Sequence, residues 1–154
     1  MYDSIYDYEY KNNTGQTVKI GDYKNKNILI VNTASQCGYT PQYADLQKLY
    51  EEYQEDLEII AFPCNQFGFQ EPGSDSDIKQ FCSKMDISFP ISSKIEVNGE
   101  NAHPIYKYLK NRAKNDTDIK WNFEKFLIDK SENITHYESS FSPTAFADMV
   151  KNLN

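Results

Sequence analysis

The sequence has few basic residues for its size. Lysine and arginine number 16 against 23 aspartate and glutamate residues, which gives a formal net charge of −7 at pH 7. Nucleic-acid affinity comes mostly from attraction between cationic side chains and phosphates. The acidic balance therefore excludes a broad DNA- or RNA-binding surface, and it also disfavours stable attachment to anionic membranes.

Cysteine and histidine are scarce as well. The three cysteines are Cys37, Cys64 and Cys82, and the chain has only two histidines. No two cysteines form a Cys-x-x-Cys pair, so the ligand spacing of structural zinc sites is absent. An odd number of cysteines also argues against a static disulfide scaffold. We therefore expect neither a metal nor another cofactor.

Long hydrophobic runs are missing. No segment approaches the roughly 20 apolar residues that span a bilayer. The first seven residues lack both the basic region and the apolar run of a signal peptide. We therefore expect a soluble, cytoplasmic protein.

The size of the chain fits one ordinary domain, which we expect to cover residues 1–154. Apolar residues make up 39% of the sequence, and 12 tyrosines and 9 phenylalanines supply much of that share. The hydrophobic core therefore has to depend on aromatic side chains.

Two nearly continuous apolar runs, at residues 28–31 and 57–62, are typical of strands buried on both faces of a parallel sheet. A helix is predicted between them, because Thr40 followed by Pro41 is a helix-start signal and apolar residues then recur at helical spacing. Together these elements form a parallel βαβ unit. An N-terminal β-hairpin is predicted from alternating apolar residues, namely Tyr6, Tyr8, Tyr10, Val18 and Ile20.

The second half of the chain predicts further helices around a hairpin. Helices are expected at 75–85, with Ser74 as N-cap, at 103–113, and after Ser142-Pro143. The hairpin strands are expected at residues 126–128 and 134–137. This order predicts an α/β protein with a thioredoxin-like fold, an N-terminal β-hairpin and an inserted helix.

Cys37 is the first candidate for chemistry, because it follows a predicted parallel strand and precedes a helix. Open α/β sheets bind ligands at that edge. The unpaired amides at a helix N-terminus favour a thiolate over a thiol and so make the sulfur more nucleophilic. The alternative is a buried structural cysteine, since cysteine is among the most buried residue types.

Two polar segments accompany this cysteine. Asn65, Gln66 and Gln70 follow the second parallel strand, where they could donate hydrogen bonds to an anion or merely satisfy backbone groups of a tight turn. Trp121 and Asn122 precede the hairpin, and their N–H groups could solvate a sulfur anion without any cation. A tryptophan that only fills the core is the alternative for that pair.

Three segments, taken together, resemble the glutathione peroxidase family. They are Asn-x-Ala-Ser-x-Cys-Gly at 32–38, Phe-Pro-Cys-Asn-Gln-Phe-Gly-x-Gln-Glu-Pro-Gly at 62–73, and Trp-Asn-Phe at 121–123. The resemblance extends over nearly the whole chain. It implies that Cys37 reduces the peroxide and that Gln70, Trp121 and Asn122 complete the catalytic tetrad. This chain has cysteine where many animal members carry selenocysteine, so the resemblance implies a slower chemical step.

The resemblance also implies a reaction, in which the Cys37 thiolate attacks a hydroperoxide and becomes a sulfenic acid. Members that use thioredoxin carry a resolving cysteine where this chain has Cys82, seven residues before Phe89. Cys82 also falls on an apolar helical stripe, so a packing role stays possible. A cysteine packed there should lie beyond the ~7 Å between α-carbons that a disulfide tolerates. We therefore hypothesise that helix 75–85 partly unwinds during turnover.

The short stretch from Ala113 to Trp121 leaves no room for the insertion that builds the interface of the tetrameric members. We therefore expect a monomer with an open site, which favours organic and lipid hydroperoxides as well as hydrogen peroxide. As reductant, thioredoxin is expected rather than glutathione. The alternatives are a peroxide sensor that passes oxidation to a partner protein, and a thioredoxin-like binding module without catalysis.

Overall fold

The computed structural model describes residues 3–113 and 118–153. Across these ranges no helix has the length and apolar character needed to cross a membrane. Residues 114–117, in the short connection on which the expected monomer rests, lie outside the described residues.

The centre of the fold is a four-stranded sheet, whose strands lie in the order β4 (Leu57–Pro63), β3 (Asn27–Thr33), β5 (Lys125–Ile128) and β6 (Ile134–Tyr137). Strands β3 (Asn27–Thr33) and β4 (Leu57–Pro63) are parallel and buried along their whole length, as the two apolar runs predicted. Strand β5 (Lys125–Ile128) pairs antiparallel with β3 and with β6 (Ile134–Tyr137). This sheet and the thioredoxin-like fold agree with the prediction.

Helices cover both faces of the sheet because side chains alternate along each strand. Helices α1 (Gln42–Tyr53), α2 (Asp75–Lys84) and α4 (Phe146–Leu153) share one apolar cluster with the odd-numbered apolar residues of β3. Helix α3 (Pro104–Arg112) packs on the opposite face with the even-numbered ones. Each layer contains several aromatic side chains, as the composition predicted.

The helix starts agree with the sequence in two cases and differ in two. Ser74 caps α2 in a capping box with Asp77, as its position predicted. Helix α1 begins at Gln42, without a capping side chain, because the hydroxyl of Thr40 is used in the preceding loop. Helix α4 begins at Phe146, since Pro143–Ala145 first form a 3-10 turn capped by Ser142. His103 caps α3.

The N-terminal hairpin is present but shorter than predicted. Its strands are β1 (Glu9–Lys11) and β2 (Thr17–Lys19), which pair antiparallel. The flanking segments Ile5–Asp7 and Ile20–Tyr23 are 3-10 helices, so Tyr6 and Ile20 lie outside the strands. Turning the chain there lets the side chains of Ile5 and Ile20 enter the core on the α3 side of the sheet.

Lys125 is a fully buried cation that the sequence analysis did not single out. Its ammonium group donates to the carbonyl oxygens of Ser139 (2.9 Å) and Phe141 (2.7 Å), and so holds the β6–α4 connection against the sheet. Burial lowers the pKa of Lys125 to about 8. The carbonyl contacts offset part of the cost of burying this charge.

This lysine should make stability depend on alkaline pH. Between pH 8 and 10.5 the unfolded chain binds more protons at Lys125 than the folded chain does, so stability rises with pH. Relative to Lys125→Met, we expect the wild type to gain roughly 1–2 kcal/mol of unfolding free energy between about pH 8 and about pH 10. Urea unfolding across this range measures it, with Lys48→Met as the exposed control. Parallel pH dependence in the wild type and Lys125→Met would contradict the assignment.

Candidate active site

Cys37 lies in the loop that leaves the carboxyl end of β3 and leads into α1. The hydroxyl of Thr40 accepts from the backbone N–H of Cys37 (2.9 Å) and donates to the carbonyl of Ala34 (2.8 Å). The backbone N–H of Thr40 in turn donates to the carbonyl of Cys37 (3.0 Å). These bonds close the loop on itself and fix the backbone of the cysteine.

The sulfur of Cys37 sits just below the protein surface, with 7% of the residue exposed. The backbone N–H of Tyr39 donates to Sγ at 3.3 Å. A hydrogen bond to an ionised group contributes about 1.5–3 kcal/mol, so this amide favours the anionic sulfur. Among the described residues, no ion pair includes Cys37, Gln70, Trp121 or Asn122.

A tight turn after β4 carries Gln70 to the Cys37 loop. Gly68 and Phe69 both adopt left-handed backbone conformations, with φ of 67° and 53°. The backbone N–H of Gln36 then donates to the carbonyl of Gln70 at 3.1 Å. This bond joins the peptide next to Cys37 to the turn that contains Gln70.

Trp121 and Asn122 meet Gln70 at this turn. The side-chain amide of Asn122 donates to Gln70 Oε1 at 2.9 Å. A Cβ at Gly68 would lie 3.0 Å from Trp121 Cη2 and 3.4 Å from Gln70 Cδ, so only glycine lets the two side chains approach this closely. The structure therefore brings Gln70, Trp121 and Asn122 together at this turn, while their role towards the Cys37 sulfur stays a prediction.

The donors of this cluster are not equally available. Asn122 Nδ2 is used by Gln70 and by the carbonyl of Phe67. Gln70 Nε2 and Trp121 Nε1 have no hydrogen-bond acceptor among the described residues. In this state the sulfur of Cys37 accepts from the Tyr39 amide and from none of the three side chains. Two side-chain donors thus remain unengaged beside the Cys37 loop.

Asn65 and Gln66 use their side-chain oxygens to accept from backbone N–H groups. Asn65 Oδ1 accepts from the N–H of Glu71 at 3.0 Å. Gln66 Oε1 accepts from the N–H groups of Val97 (2.7 Å) and Asn98 (3.0 Å). Of the three amides considered after β4, only Gln70 reaches Asn122, and the other two are turn residues.

Glu71 is a buried carboxyl group next to Gln70 that the sequence analysis did not identify. Burial raises the pKa of Glu71, while the nearby polar groups of Ser35 and the charge of Lys94 act in the opposite direction. Thr40 is the other residue missed. Its place three residues after Cys37 is the signal, since serine and threonine often bond to nearby backbone in loops.

Cys82 lies on the inner face of α2, as its position on the apolar stripe predicted. The residue is 2% exposed and shares the apolar cluster of Cys37. Burial raises the pKa of Cys82 to about 11, and the nearby Tyr43 hydroxyl opposes this shift. All three cysteines are free thiols. Cys82 also lines a groove of about 510 Å³ between α2 and the N-terminal hairpin.

Cys64 lies at the end of β4 and is completely buried. Burial raises the pKa of Cys64, and backbone N–H groups of Gln66 and Val97 oppose the shift. The thiol contacts Gln66 Oε1 at 3.5 Å. These surroundings suit a packed, protonated thiol.

Comparison with known proteins decides the family. The family model described as glutathione peroxidase matches residues 5–110. The chain is 47% identical to the glutathione peroxidase homolog BsaA of Staphylococcus epidermidis, over 97% of this chain and 95% of that protein. The chain belongs to the glutathione peroxidase family.

Some relatives of this glutathione peroxidase family member are also named peroxiredoxins. The chain is 46% identical to glutathione peroxidase-like peroxiredoxin 2 of Saccharomyces cerevisiae, over 96% of this chain and 94% of the yeast protein. Among solved structures, the crystal structure of Trgpx in apo form superposes with a TM-score of 0.80 at 34% identity, covering 99% of this chain and 96% of that one. A thiol:disulfide interchange protein of Chlorobium tepidum shares the fold, with a TM-score of 0.74 at 15% identity, covering 96% of this chain and 93% of that one.

The three thiols should differ sharply in reactivity. At about pH 8 a thiol with a pKa of about 11 is almost wholly protonated, whereas Cys37 is the more exposed thiol and has an amide that donates to its sulfur. In the reduced native protein we expect iodoacetamide to modify Cys37 first, with Cys82 and Cys64 reacting at least about tenfold more slowly. Peptide mass spectrometry over time measures the order, and the urea-unfolded protein is the control. Equal native rates for Cys37 and Cys82 would contradict the expectation.

Proposed function

We propose that this protein is a thiol peroxidase that reduces hydrogen peroxide and organic hydroperoxides to water and alcohols, with Cys37 as the attacking residue. The observation that carries the proposal is the loop geometry around Cys37, where a neutral amide donates to the sulfur and the N–H of Gln36 joins the loop to the turn that carries Gln70. Membership of the glutathione peroxidase family supports the same activity.

In the first step the Cys37 thiolate attacks one oxygen of the O–O bond. The S–O bond forms as the O–O bond breaks, and the departing oxygen takes a proton to leave as water or an alcohol. The sulfur becomes a sulfenic acid. The free N–H groups of Gln70 and Trp121 are suited to stabilise negative charge on the sulfur or on the departing oxygen, and Asn122 orients Gln70 through its amide.

In the second step the thiol of Cys82 attacks the sulfenic acid of Cys37. A disulfide forms, and the hydroxyl leaves as water. A reductant with two thiols then supplies two electrons and two protons, which restores both cysteines and oxidises the reductant to a disulfide. We assign this role to thioredoxin, and the peroxiredoxin names of the yeast relatives support a protein reductant rather than glutathione.

We infer that formation of this disulfide draws Cys82 away from the inner face of α2, where the residue is buried. The start of the helix is held by its capping box and by the N–H of Lys94, which donates to Asp75 Oδ1 at 2.7 Å. Beyond the helix, the N–H of Ser88 donates to Gln47 Oε1 at 2.9 Å. We infer that the segment between these two anchors unwinds, while the anchors keep its ends in place.

The proposed function includes an oligomeric state and a cellular location. We propose a monomer, because the 113–121 connection is short, and a cytoplasmic location, because recycling by thioredoxin takes place in a reducing compartment. Transient contact with lipid hydroperoxides is compatible with both.

Three serine variants test the assigned roles. We expect Cys37→Ser to abolish peroxide consumption, because the attacking sulfur is gone. Cys82→Ser should still consume about one equivalent of peroxide but lose thioredoxin-linked turnover, since it cannot form the disulfide. Cys64→Ser should retain activity and serves as the matched control. Peroxide consumption coupled to thioredoxin and to glutathione measures all of these.

Disulfide mapping after one equivalent of peroxide separates the resolving role from the attacking role. The expected product is a Cys37–Cys82 disulfide, accompanied by a loss of helical circular dichroism. A bond from Cys37 to Cys64, or no bond at all, would contradict the role of Cys82. Full thioredoxin-linked turnover by Cys82→Ser would do the same, and it would leave the role of Cys37 intact.

Phe69 places an exposed aromatic ring at the rim of this site. The residue is 77% exposed, although its left-handed backbone is unfavourable for a bulky side chain. It lies between Gly68 and Gln70, while Tyr39, also exposed, adjoins Cys37. An aromatic ring held in solvent beside the site is suited to contact the hydrocarbon part of an organic hydroperoxide.

Removal of this ring should affect bulky substrates selectively. We expect Phe69→Ser to raise the KM for cumene hydroperoxide or a fatty-acid hydroperoxide by about three- to tenfold, since burying part of an aromatic ring contributes roughly 1 kcal/mol. The KM for hydrogen peroxide should change little. Leu153→Ser, which removes another exposed apolar side chain, is the control. An equal change for both substrate classes would argue against contact with the hydrocarbon.

A further inference from the structure

Glu124 is a buried carboxylate directly after the Trp121-Asn122-Phe123 turn. Its Oε2 accepts from the backbone N–H groups of Lys120 (2.5 Å) and Trp121 (2.9 Å). Its Oε1 lies 2.6 Å from His136 Nε2. One carboxylate therefore binds two consecutive backbone amides and one ring nitrogen.

His136 reaches Glu124 from the neighbouring strand. It lies on β6 opposite Phe126, and its ring stacks on Phe126 with centroids 4.5 Å apart and an interplanar angle of 10°. The side chains of His136 and Glu124 are only 9% and 5% exposed. Among the described residues, His136 is the only side chain that bonds to this carboxylate.

The other side of the turn is bound to the end of β3. Asn32 Nδ2 donates to the carbonyl of Trp121 (2.9 Å), and the N–H of Phe123 donates to the carbonyl of Asn32 (2.6 Å). Phe123 has a φ of 65°, so the turn contains a left-handed residue. Without bonds from both sides, such a turn has more than one accessible arrangement, because backbone groups that lose their partners turn towards water.

We propose that Glu124 and His136 are positioning residues that hold the Trp121-Asn122 turn in its working geometry. The inference rests on the proposed peroxidase function, because its purpose is to aim the Trp121 indole N–H at the Cys37 site and the Asn122 amide at Gln70. His136 fixes the direction of the carboxylate, the carboxylate fixes the N–H groups of Lys120 and Trp121, and the turn then presents both side chains. Neither Glu124 nor His136 touches the reacting atoms.

Trp121 is the only tryptophan in the chain, so fluorescence excited beyond the absorption band of the 12 tyrosines reports on this turn alone. The first variant is His136→Leu, which removes the donor to Glu124. His136→Gln is the matched variant, since its side-chain amide can still donate. Glu124→Ala removes the carboxylate, and Thr135→Val, on the exposed face of β6, controls for substitution in that strand.

Two measurements are made on each reduced variant. The first is acrylamide quenching of Trp121 fluorescence, with circular dichroism to verify folding. The second is the rate of Cys37 oxidation by hydrogen peroxide in a single turnover. We expect His136→Leu and Glu124→Ala to raise the quenching constant at least about twofold and to slow oxidation about 10- to 100-fold, because small displacements of a catalytic group cost rates of that order. His136→Gln and Thr135→Val should stay within about threefold of the wild type.

The outcomes separate the inference from the proposed function. Unchanged quenching and unchanged rate in His136→Leu would overturn the positioning role, and so would a slower rate with unchanged quenching. An equal defect in His136→Gln would overturn it as well, because the donor would then be irrelevant. If the wild type failed to consume peroxide, the proposed function would fall, while the quenching of Trp121 would still decide whether Glu124 and His136 hold the turn.

Discussion

The parallel pairing of β3 with β4 is the constraint on which the candidate site depends. The two strands remain in register to their last residues, where Asn32 lies opposite Phe62 and Thr33 opposite Pro63. The N–H of Cys64 donates to the carbonyl of Thr33 at 3.0 Å, which keeps the two exits together. Since parallel strands end at the same edge, the Cys37 loop and the turn that carries Gln70 meet there.

Antiparallel pairing completes the site at this edge. Strand β5 runs opposite to β3, so the chain that enters β5 approaches from the edge where β3 ends. The Trp121-Asn122-Phe123 turn therefore arrives beside the Cys37 loop without any long connection. Asn32 connects the end of β3 to this turn. It belongs to β3, and both its side chain and its carbonyl form hydrogen bonds with the turn.

The three cysteines differ in the electrostatic environment of their sulfur atoms. Cys37 receives a backbone N–H at the surface edge of the sheet, a setting in which an anion is stabilised by dipoles without a cation. Cys64 and Cys82 are buried, and burial raises the pKa of both thiols because the charged form loses its hydration. In the proposed mechanism, this burial protects Cys82 until α2 opens and so separates the resolving step from the attack on peroxide.

The amino-acid sequence by itself determined the secondary structure of the core and the identity of the candidate site. Apolar runs predicted β3 and β4, the Ser74 capping box predicted the start of α2, and the three motifs resembled the family that the comparisons then established. These signals are local, because they depend on neighbouring residues and on the period of the backbone. The same local patterns placed Cys82 on the buried face of its helix.

Only the tertiary structure decided which polar groups meet. Asn65, Gln66 and Gln70 are similar amides in one short segment, and their partners lie on different parts of the chain, so their roles could not be separated by type or spacing. The burial of Lys125 and the contact between Glu124 and His136 arise from the pairing of β5 with β6. Such contacts depend on where distant segments lie after folding, and no local pattern in the sequence carries that information.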